Sequence, residues 1–450
     1  MNEKLFRPTR FLLAAGLLVL VLCCFSFGKA GAERLVLPAS TLRIEEEAFC
    51  GDTSLDEVVL NEGLIYIGPR AFANSSLKLL VFPSNPIEIS LDAFDGCPDV
   101  QALVAPDSWA QLWCYVYGLP YIALSPPSYS KDQLIVKNGA SLQVELDSPS
   151  TLNAYYTWSS DNESVLTVDE NGLIFGEYPG TATLTVSLPD GSGAVQIPVL
   201  VQANYRALLF SESTYRAENL LRNRGDVLIM KNLLNSVTGP DGGLYSVRTF
   251  NDLTAPEVFQ KITDLLEVPS REGDVSLFFF ASHGDPGSAD QEHAGRLWCI
   301  MRKTWVALPD LANALLRVKG KVIVILESCG PGAAMHDFDG KNPFITNGDK
   351  FSILTAAGYM GFSKLKREGP TVAESSNAFP YYLGKAIGTS GAMPADTNGD
   401  GIVTVQEWHK CTYNGVYQFT SYRNGQGLFV PGQLTCVWPS NDNYPLFKRK

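Results

Sequence analysis

Charge is scarce in this chain, and histidine scarcer. Only 18% of the 450 residues are charged, and there are four histidines, at 283, 293, 336 and 409. Their scatter offers no zinc-ligand spacing, which excludes a histidine-based zinc site. No Ser-centred hydrolase motif, phosphate loop or dinucleotide fingerprint occurs, so serine hydrolases, P-loop enzymes and Rossmann oxidoreductases are set aside. Positive charge is in deficit, with a formal net charge of -12. A surface of that sign repels nucleic acid and anionic lipid.

The apolar share, 45%, is ample for several packed cores in a chain of this length. The longest apolar run, Phe11 to Phe27, follows Lys4, Arg7 and Arg10 and precedes Ala30-Gly31-Ala32. This is the layout of a cleavable secretory signal, with Glu33 as the mature start and a secreted or cell-surface location. An uncleaved anchor is the alternative, although the run falls short of the roughly 20 residues that span a bilayer. Leu22 stands where a lipid-attachment signal wants a small residue, so Cys23 is not read as a lipoprotein site. Loss of the leader takes the charge to about -15 and leaves seven of the nine cysteines. An odd number in an oxidising compartment predicts one free thiol, with Cys97–Cys114 and Cys411–Cys436 as the first pairs to expect.

Three segments follow. Over 33–124 a unit recurs: Leu42-Arg-Ile44 leads to Ala48-Phe49, Leu64-Ile-Tyr-Ile67 to Ala71-Phe72, and Ile87-Glu-Ile89 to Ala93-Phe94. Short strands at this period, joined by Gly, Asn and Pro turns, predict a stacked solenoid. The unit resembles the BspA-type leucine-rich repeats of bacterial surface proteins. Over 125–203, after Ser125-Pro126-Pro127, apolar and polar residues alternate between Asn171-Gly172, Pro179-Gly180 and Asp190-Gly191 turns, which predicts a small β-sandwich. The run Trp158 to Val165 with Asp169-Glu-Asn-Gly172 resembles the bacterial immunoglobulin-like (group 2) modules, for which a spacer or adhesion role is expected.

Over 204–450 apolar strands alternate with helices: strands near 206–210, 246–250, 275–281 and 322–326, and helices over 254–266, opened by a Thr254/Glu257 capping box, and over 309–318. This predicts an α/β domain with a largely parallel sheet covered on both faces. The strand Val275–Ala281 ends in Ser282-His283-Gly284, and Lys321–Leu326 ends in Glu327-Ser328-Cys329-Gly330. One right-handed crossover through the intervening helix makes these strands neighbours, with both motifs at the carboxyl edge where active sites collect. Cysteine attack needs a thiolate, and an imidazole beside it favours the ionised thiol and protonates the leaving amine. The glycines leave the amides of Gly284 and Cys329 free as an oxyanion hole. His293, His336 and His409 lack a strand-end setting and read as surface or loop residues.

These motifs resemble the caspase and legumain class of cysteine peptidases, which place His-Gly after one strand and an acidic or amide residue, a small residue and Cys after the next. The resemblance implies the caspase-haemoglobinase fold and endopeptidase activity on protein or peptide substrates. Asn377–Gly388 adds to it, as bacterial caspase-like domains carry a similar amphipathic helix. Glu327-Ser-Cys-Gly-Pro-Gly departs from both family motifs, so bond specificity does not carry over. In that class the residue two before the cysteine lines the pocket for the side chain preceding the cut; Glu327 there favours a basic or amide-bearing group, unless it pairs with an internal arginine.

Asp396-Thr-Asn398-Gly-Asp400-Gly401-Ile402-Val-Thr404-Val-Gln-Glu407 fits the twelve-residue EF-hand loop, with Asp396, Asn398, Asp400, Thr404 and Glu407 side chains and the Ile402 carbonyl as calcium ligands. An Asx-rich turn that binds nothing is the alternative. Met393-Pro394 argues against a regular entering helix, and the absence of a second loop argues against a paired sensor. The whole reads as an exported, calcium-braced cysteine endopeptidase with tethering modules; the alternatives are an adhesin with an inactive caspase-like domain and a structural calcium-binding surface protein.

Overall fold

The computed structural model describes residues 33–450 apart from 190, 216–217, 220, 285–296, 300–303, 337–341, 360, 368–370, 390 and 392. The leader read from residues 1–32, and His293, lie outside the described residues.

The recurring unit builds two parallel ladders. Strands Glu33–Val36, Leu55–Val59, Leu79–Val81, Gln101–Val104 and Tyr121–Ala123 form one sheet in chain order, and Arg43–Ile44, Tyr66–Ile67 and Glu88–Ile89 form a second. The Ala-Phe signature explains the stacking. Phe49, Phe72 and Phe94 lie ring over ring at 5.1 and 5.7 Å, and the Phe49 and Phe72 amides donate to Ala71 and Ala93 one unit on. Each unit thereby buries its neighbour's apolar face, which none could do alone.

The next segment folds as a three-stranded and a four-stranded sheet around one core that includes Val144, Leu166, Ile174, Leu184, Val186 and Ile197. Val59, Val81 and Leu103 of the repeats join that core. At its other end this segment locks onto the α/β part through Asp274. Its fully buried carboxylate accepts from Asn138 Nδ2 (2.9 Å), Asn204 N (3.0 Å) and Arg206 Nη1 (2.7 Å), so the burial cost of the charge is offset by charge-assisted bonds.

Six strands form the α/β sheet, in the order Tyr245–Asn251, Tyr205–Ser211, Val275–Ala281, Lys321–Glu327, Phe351–Thr355 and Cys436–Trp438. The first five are parallel, as the strand pattern predicts for a largely parallel sheet, and the last, at the edge, is antiparallel. Alternate residues serve opposite faces. Leu277, Phe279, Ile323 and Ile325 pack with helices Leu221–Ser236, Ala378–Ile387 and Val405–Thr420, while Phe278, Phe280, Val322 and Val324 pack with helices Ala255–Ile262 and Leu308–Leu316. The expected capping box is present, with Thr254 N and Oγ1 donating to Glu257 at 2.8 and 2.7 Å. Among the described residues no helix is long and apolar enough to cross a membrane.

The expected cysteine pairs are not disulfides. Cys97, Cys114, Cys411 and Cys436 are all free thiols. Cys97 instead donates to the Phe72 carbonyl (3.0 Å), part of the repeat stack, and Cys114, on the buried face of helix Trp109–Tyr117, packs into the repeat core. The odd count does not require a bridge when the thiols pack as small apolar groups.

Helix Leu221–Ser236 escapes the sequence reading, because Asn223 and Gly225 interrupt its apolar spacing. Gly225 is required by packing: a Cβ there would lie 1.8 Å from the Ser375 carbonyl oxygen. Gly225→Ala is therefore expected to cost about 1–3 kcal/mol and lower the unfolding midpoint by several degrees, read by differential scanning calorimetry; an unchanged midpoint would show that this approach is not tight.

Candidate active site

Strand register builds the site. Val275–Ala281 and Lys321–Glu327 run parallel with Ala281 opposite Glu327, and the Ser282 amide donates to the Glu327 carbonyl (2.9 Å) as a final rung. His283 and Cys329 each stand two residues past that last pair, half-buried, and line one cleft of about 200 Å³. The loops touch at Gly284, where a Cβ would fall 2.1 Å from the Cys329 carbonyl oxygen. Only glycine lets them approach this closely. Gly330, at φ 66°, turns the Cys329 loop back, and its N–H donates to the Gly361 carbonyl (2.8 Å), which brings Ser363 to the cleft.

The floor carries ionisable groups. Glu327 is 1% exposed and receives a short hydrogen bond from Ser363 Oγ. Asp226, at the start of helix Leu221–Ser236, is fully buried and accepts from Asn377 N (2.8 Å) and Asn377 Nδ2 (2.5 Å). Arg222, one turn earlier on the same helix, lines the cleft beside Glu327. Burial pushes the Asp226 carboxyl up to about 7. Burial first, and the Asp226 charge second, hold Glu327 well above the usual carboxylate range, against the pull of Ser363 and Arg222. Burial also raises the Cys329 thiol, and Glu327 adds to the rise, while the Ser363 amide, Arg222 and Lys364 oppose it.

Of the residues read from the sequence, His283, Glu327 and Cys329 meet in this cleft, with Gly284 packed against it. Arg222, Asp226, Ser363 and Asn377 were missed. One signal was available for the first two: the polar run Arg222-Asn-Arg-Gly-Asp226 leads directly into the apolar run Val227 to Met230, as at a helix start that dips into an active edge. The other described histidines lie elsewhere. His336 packs on Tyr359 at 4.9 Å, and His409 is held by Thr435 at 3.2 Å on helix Val405–Thr420, where burial lowers its pKa.

The loop 396–407 lies apart from the cleft, before helix Val405–Thr420. Its donor atoms are hard oxygens, which suit calcium. They are turned onto the loop itself: Asp396 accepts from Gly399 and Gly401 N (2.9 and 3.0 Å), Asp400 from Ile402 N (2.8 Å), and Glu407 from Thr404 N and Oγ1 (3.0 Å each). Among the described residues no three His, Cys, Asp or Glu side chains converge as a metal set.

Family comparison agrees with the edge geometry. The family model for the caspase domain matches residues 204–408. The chain carries a caspase domain. Ahead of it, the BspA type leucine rich repeat region matches residues 22–112 in six copies, and the bacterial Ig-like domain (group 2) matches residues 125–199. A crystal structure of caspase-1 from Spodoptera frugiperda is similar at 14% identity, with 54% of this chain and 88% of that chain covered and a TM-score of 0.35. No curated protein matches the chain.

Within the caspase domain, the charge on Glu327 disfavours the thiolate of Cys329. Glu327→Gln is therefore expected to shift the pH profile of Cys329 alkylation toward lower pH and to speed alkylation at pH 8 by about two- to five-fold. A profile that stays in place or moves up would contradict this electrostatic coupling.

Proposed function

We propose that the protein is a secreted or surface-associated cysteine endopeptidase that cuts after basic residues. The observation that carries the reading is the convergence of the His283 and Cys329 loops over a floor lined by Glu327 and Arg222, with the Asp226 carboxyl buried close behind Glu327. One negative charge is left over when both carboxyls ionise, so Arg222 does not saturate the floor, and a substrate Lys or Arg supplies the missing cation.

In this mechanism Cys329 gives its proton to His283 and its sulfur attacks the scissile carbonyl carbon. The amides of Gly284 and Cys329 hold the resulting oxyanion, whose charge is then returned as the C–N bond breaks. His283 passes the proton to the leaving amine. Water, deprotonated by His283, then hydrolyses the thioester and regenerates the thiol. The caspase domain supports this reading over an adhesin with an inactive domain. We assign 33–124 as a leucine-rich-repeat solenoid, 125–203 as an immunoglobulin-like sandwich and 204–450 as the peptidase unit, the first two serving as binding or tethering modules.

Hydrolysis of fluorogenic peptides ending in Arg, Lys, Asn or Asp tests the assignment. Arg and Lys substrates are expected to be cut, with kcat/KM reduced by about 10³-fold or more in Cys329→Ala and His283→Ala. No hydrolysis of any peptide would count for the adhesin. Because the floor carboxyls titrate above their ordinary range, they are protonated at low pH and bind a cation poorly. KM for the arginine substrate should therefore fall as pH rises from about 6 to 8; a KM that is flat or rises would reject the carboxylate floor as the basic-residue pocket.

Calcium is proposed as a brace rather than a reactant. Asp396, Asn398, Asp400, Thr404 and Glu407 would swing from the loop amides onto the ion with the Ile402 carbonyl, stiffening the segment that enters helix Val405–Thr420. Millimolar calcium should then raise the unfolding midpoint of the parent by a few degrees and leave Glu407→Gln unmoved; equal midpoints with calcium and with chelator would remove the brace.

A further inference from the structure

The negative charge of this chain is unevenly held. Residues 33–203 contain 22 carboxylates against six basic residues, whereas residues 204–450 contain 24 against 25. A nearly neutral caspase domain thus follows modules of net charge about -16. Five of the six bases are committed to ion pairs: Arg34 with Glu57, Arg43 with Glu45, Arg70 with Glu47, Lys78 with Asp56 and Lys131 with Glu145. The sixth, Lys137, donates to Gln202 (2.8 Å). The modules therefore present a field that draws cations.

A cleft of about 350 Å³ opens where the repeats meet the Ig-like module. Tyr155 and Trp158 supply aromatic walls, and Glu57, Asp169, Glu170 and Arg34 supply the polar ones. Trp158 is fixed, since its Nε1–H donates to the Asn153 carbonyl (2.9 Å) and Gly172 sits where a Cβ would lie 2.5 Å from the ring. Arg34 is held by Glu57 (3.0 Å) and the Pro189 carbonyl (3.2 Å), which ties the two modules together and neutralises that pair. Asp169 Oδ1 accepts from the Asn171 and Leu173 amides (2.9 and 2.8 Å), and Glu170 is exposed. Asp169 and Glu170 leave the cleft with excess negative charge beside rigid aromatic faces. That combination receives an ammonium or guanidinium group.

We propose that this cleft is an exosite for a cationic polypeptide, seating one of its Lys or Arg side chains. The idea deepens the peptidase reading and rests on it only for the consequence for cleavage. Trp158 pairs with Val186, at the end of its sheet opposite the Gly180–Val201 rung that leads into the caspase domain. Along the strands, on the order of 20 Å of this module and a further 20 Å of Val275–Ala281 separate exosite from Cys329. An extended chain of about 12 residues or more bridges that distance. Long basic substrates gain from the exosite, and short ones do not.

The test uses the full chain carrying Cys329→Ala and a fluorescent arginine-rich peptide of about 20 residues, long enough to span both sites. Anisotropy should report binding that weakens at high salt and falls about fivefold or more with Glu170→Lys and, separately, with Tyr155→Ala. Equal binding by parent and both variants, or equally tight binding of a glutamate-rich peptide, would overturn the exosite. In the active chain Glu170→Lys should leave short-peptide hydrolysis unchanged and raise KM for the long substrate; equal effects on both would also overturn it. A parent that cuts no peptide would instead sink the peptidase reading, while the binding arm, made with inactive chain, still decides the exosite.

Discussion

Everything at the His283–Cys329 cleft depends on one register: Ala281 opposite Glu327 in two adjacent parallel strands. A slip of one residue would turn every side chain of either strand to the other face. That slip is barred because both faces are already committed, with Phe279 and Ile325 in one core and Phe278 and Val324 in the other. Given the register, His283 and Cys329 leave the sheet at equal height, and Gly284 removes the one Cβ that would hold their loops apart. The constraint is hydrophobic and covers the whole strand length, while the chemistry it positions occupies a single residue on each strand.

The floor beneath that cleft illustrates why a buried charge signals a guest. Taking a carboxylate out of water is expensive unless it is paired. Asp226 is fully held by Asn377, yet its carboxyl still sits near 7, and Glu327 is higher than an ordinary carboxylate despite Ser363 and Arg222. In the proposed reading, an arriving cation would favour the ionised form of these carboxyls. The same negative charge opposes ionisation of Cys329, so a bound basic side chain would stabilise the thiolate as it binds.

Much of this was legible in the sequence because it is local or periodic. Continuous apolar runs marked the Val275–Ala281 and Lys321–Glu327 strands, the 23- and 22-residue spacings of the Ala-Phe pairs marked the stacked rings, and Thr254 with Glu257 marked a helix start. What escaped was long-range. Asp226 meets Asn377 across 151 residues, and no spacing rule joins them. Helix Leu221–Ser236 was hidden by Gly225, a residue that weakens a helix by propensity and is needed there by packing against Ser375. Cysteine counting suggested bridges, whereas Cys97 and Cys114 satisfy themselves within the repeat core. The spacing of the 396–407 loop was legible, but the direction of its carboxylates was not.

The central claim is that Cys329 is the nucleophile of a site tuned for a basic side chain, with His283 as its partner. Its most direct test is covalent trapping with thiol-reactive acyloxymethyl ketones bearing arginine or aspartate, followed by mass-spectrometric mapping of all cysteines. The account predicts that the arginyl reagent labels Cys329 alone, that the aspartyl reagent does not, and that His283→Ala abolishes labelling. Labelling spread over Cys411 and Cys436, or at Cys329 irrespective of the side chain and of His283, would contradict it.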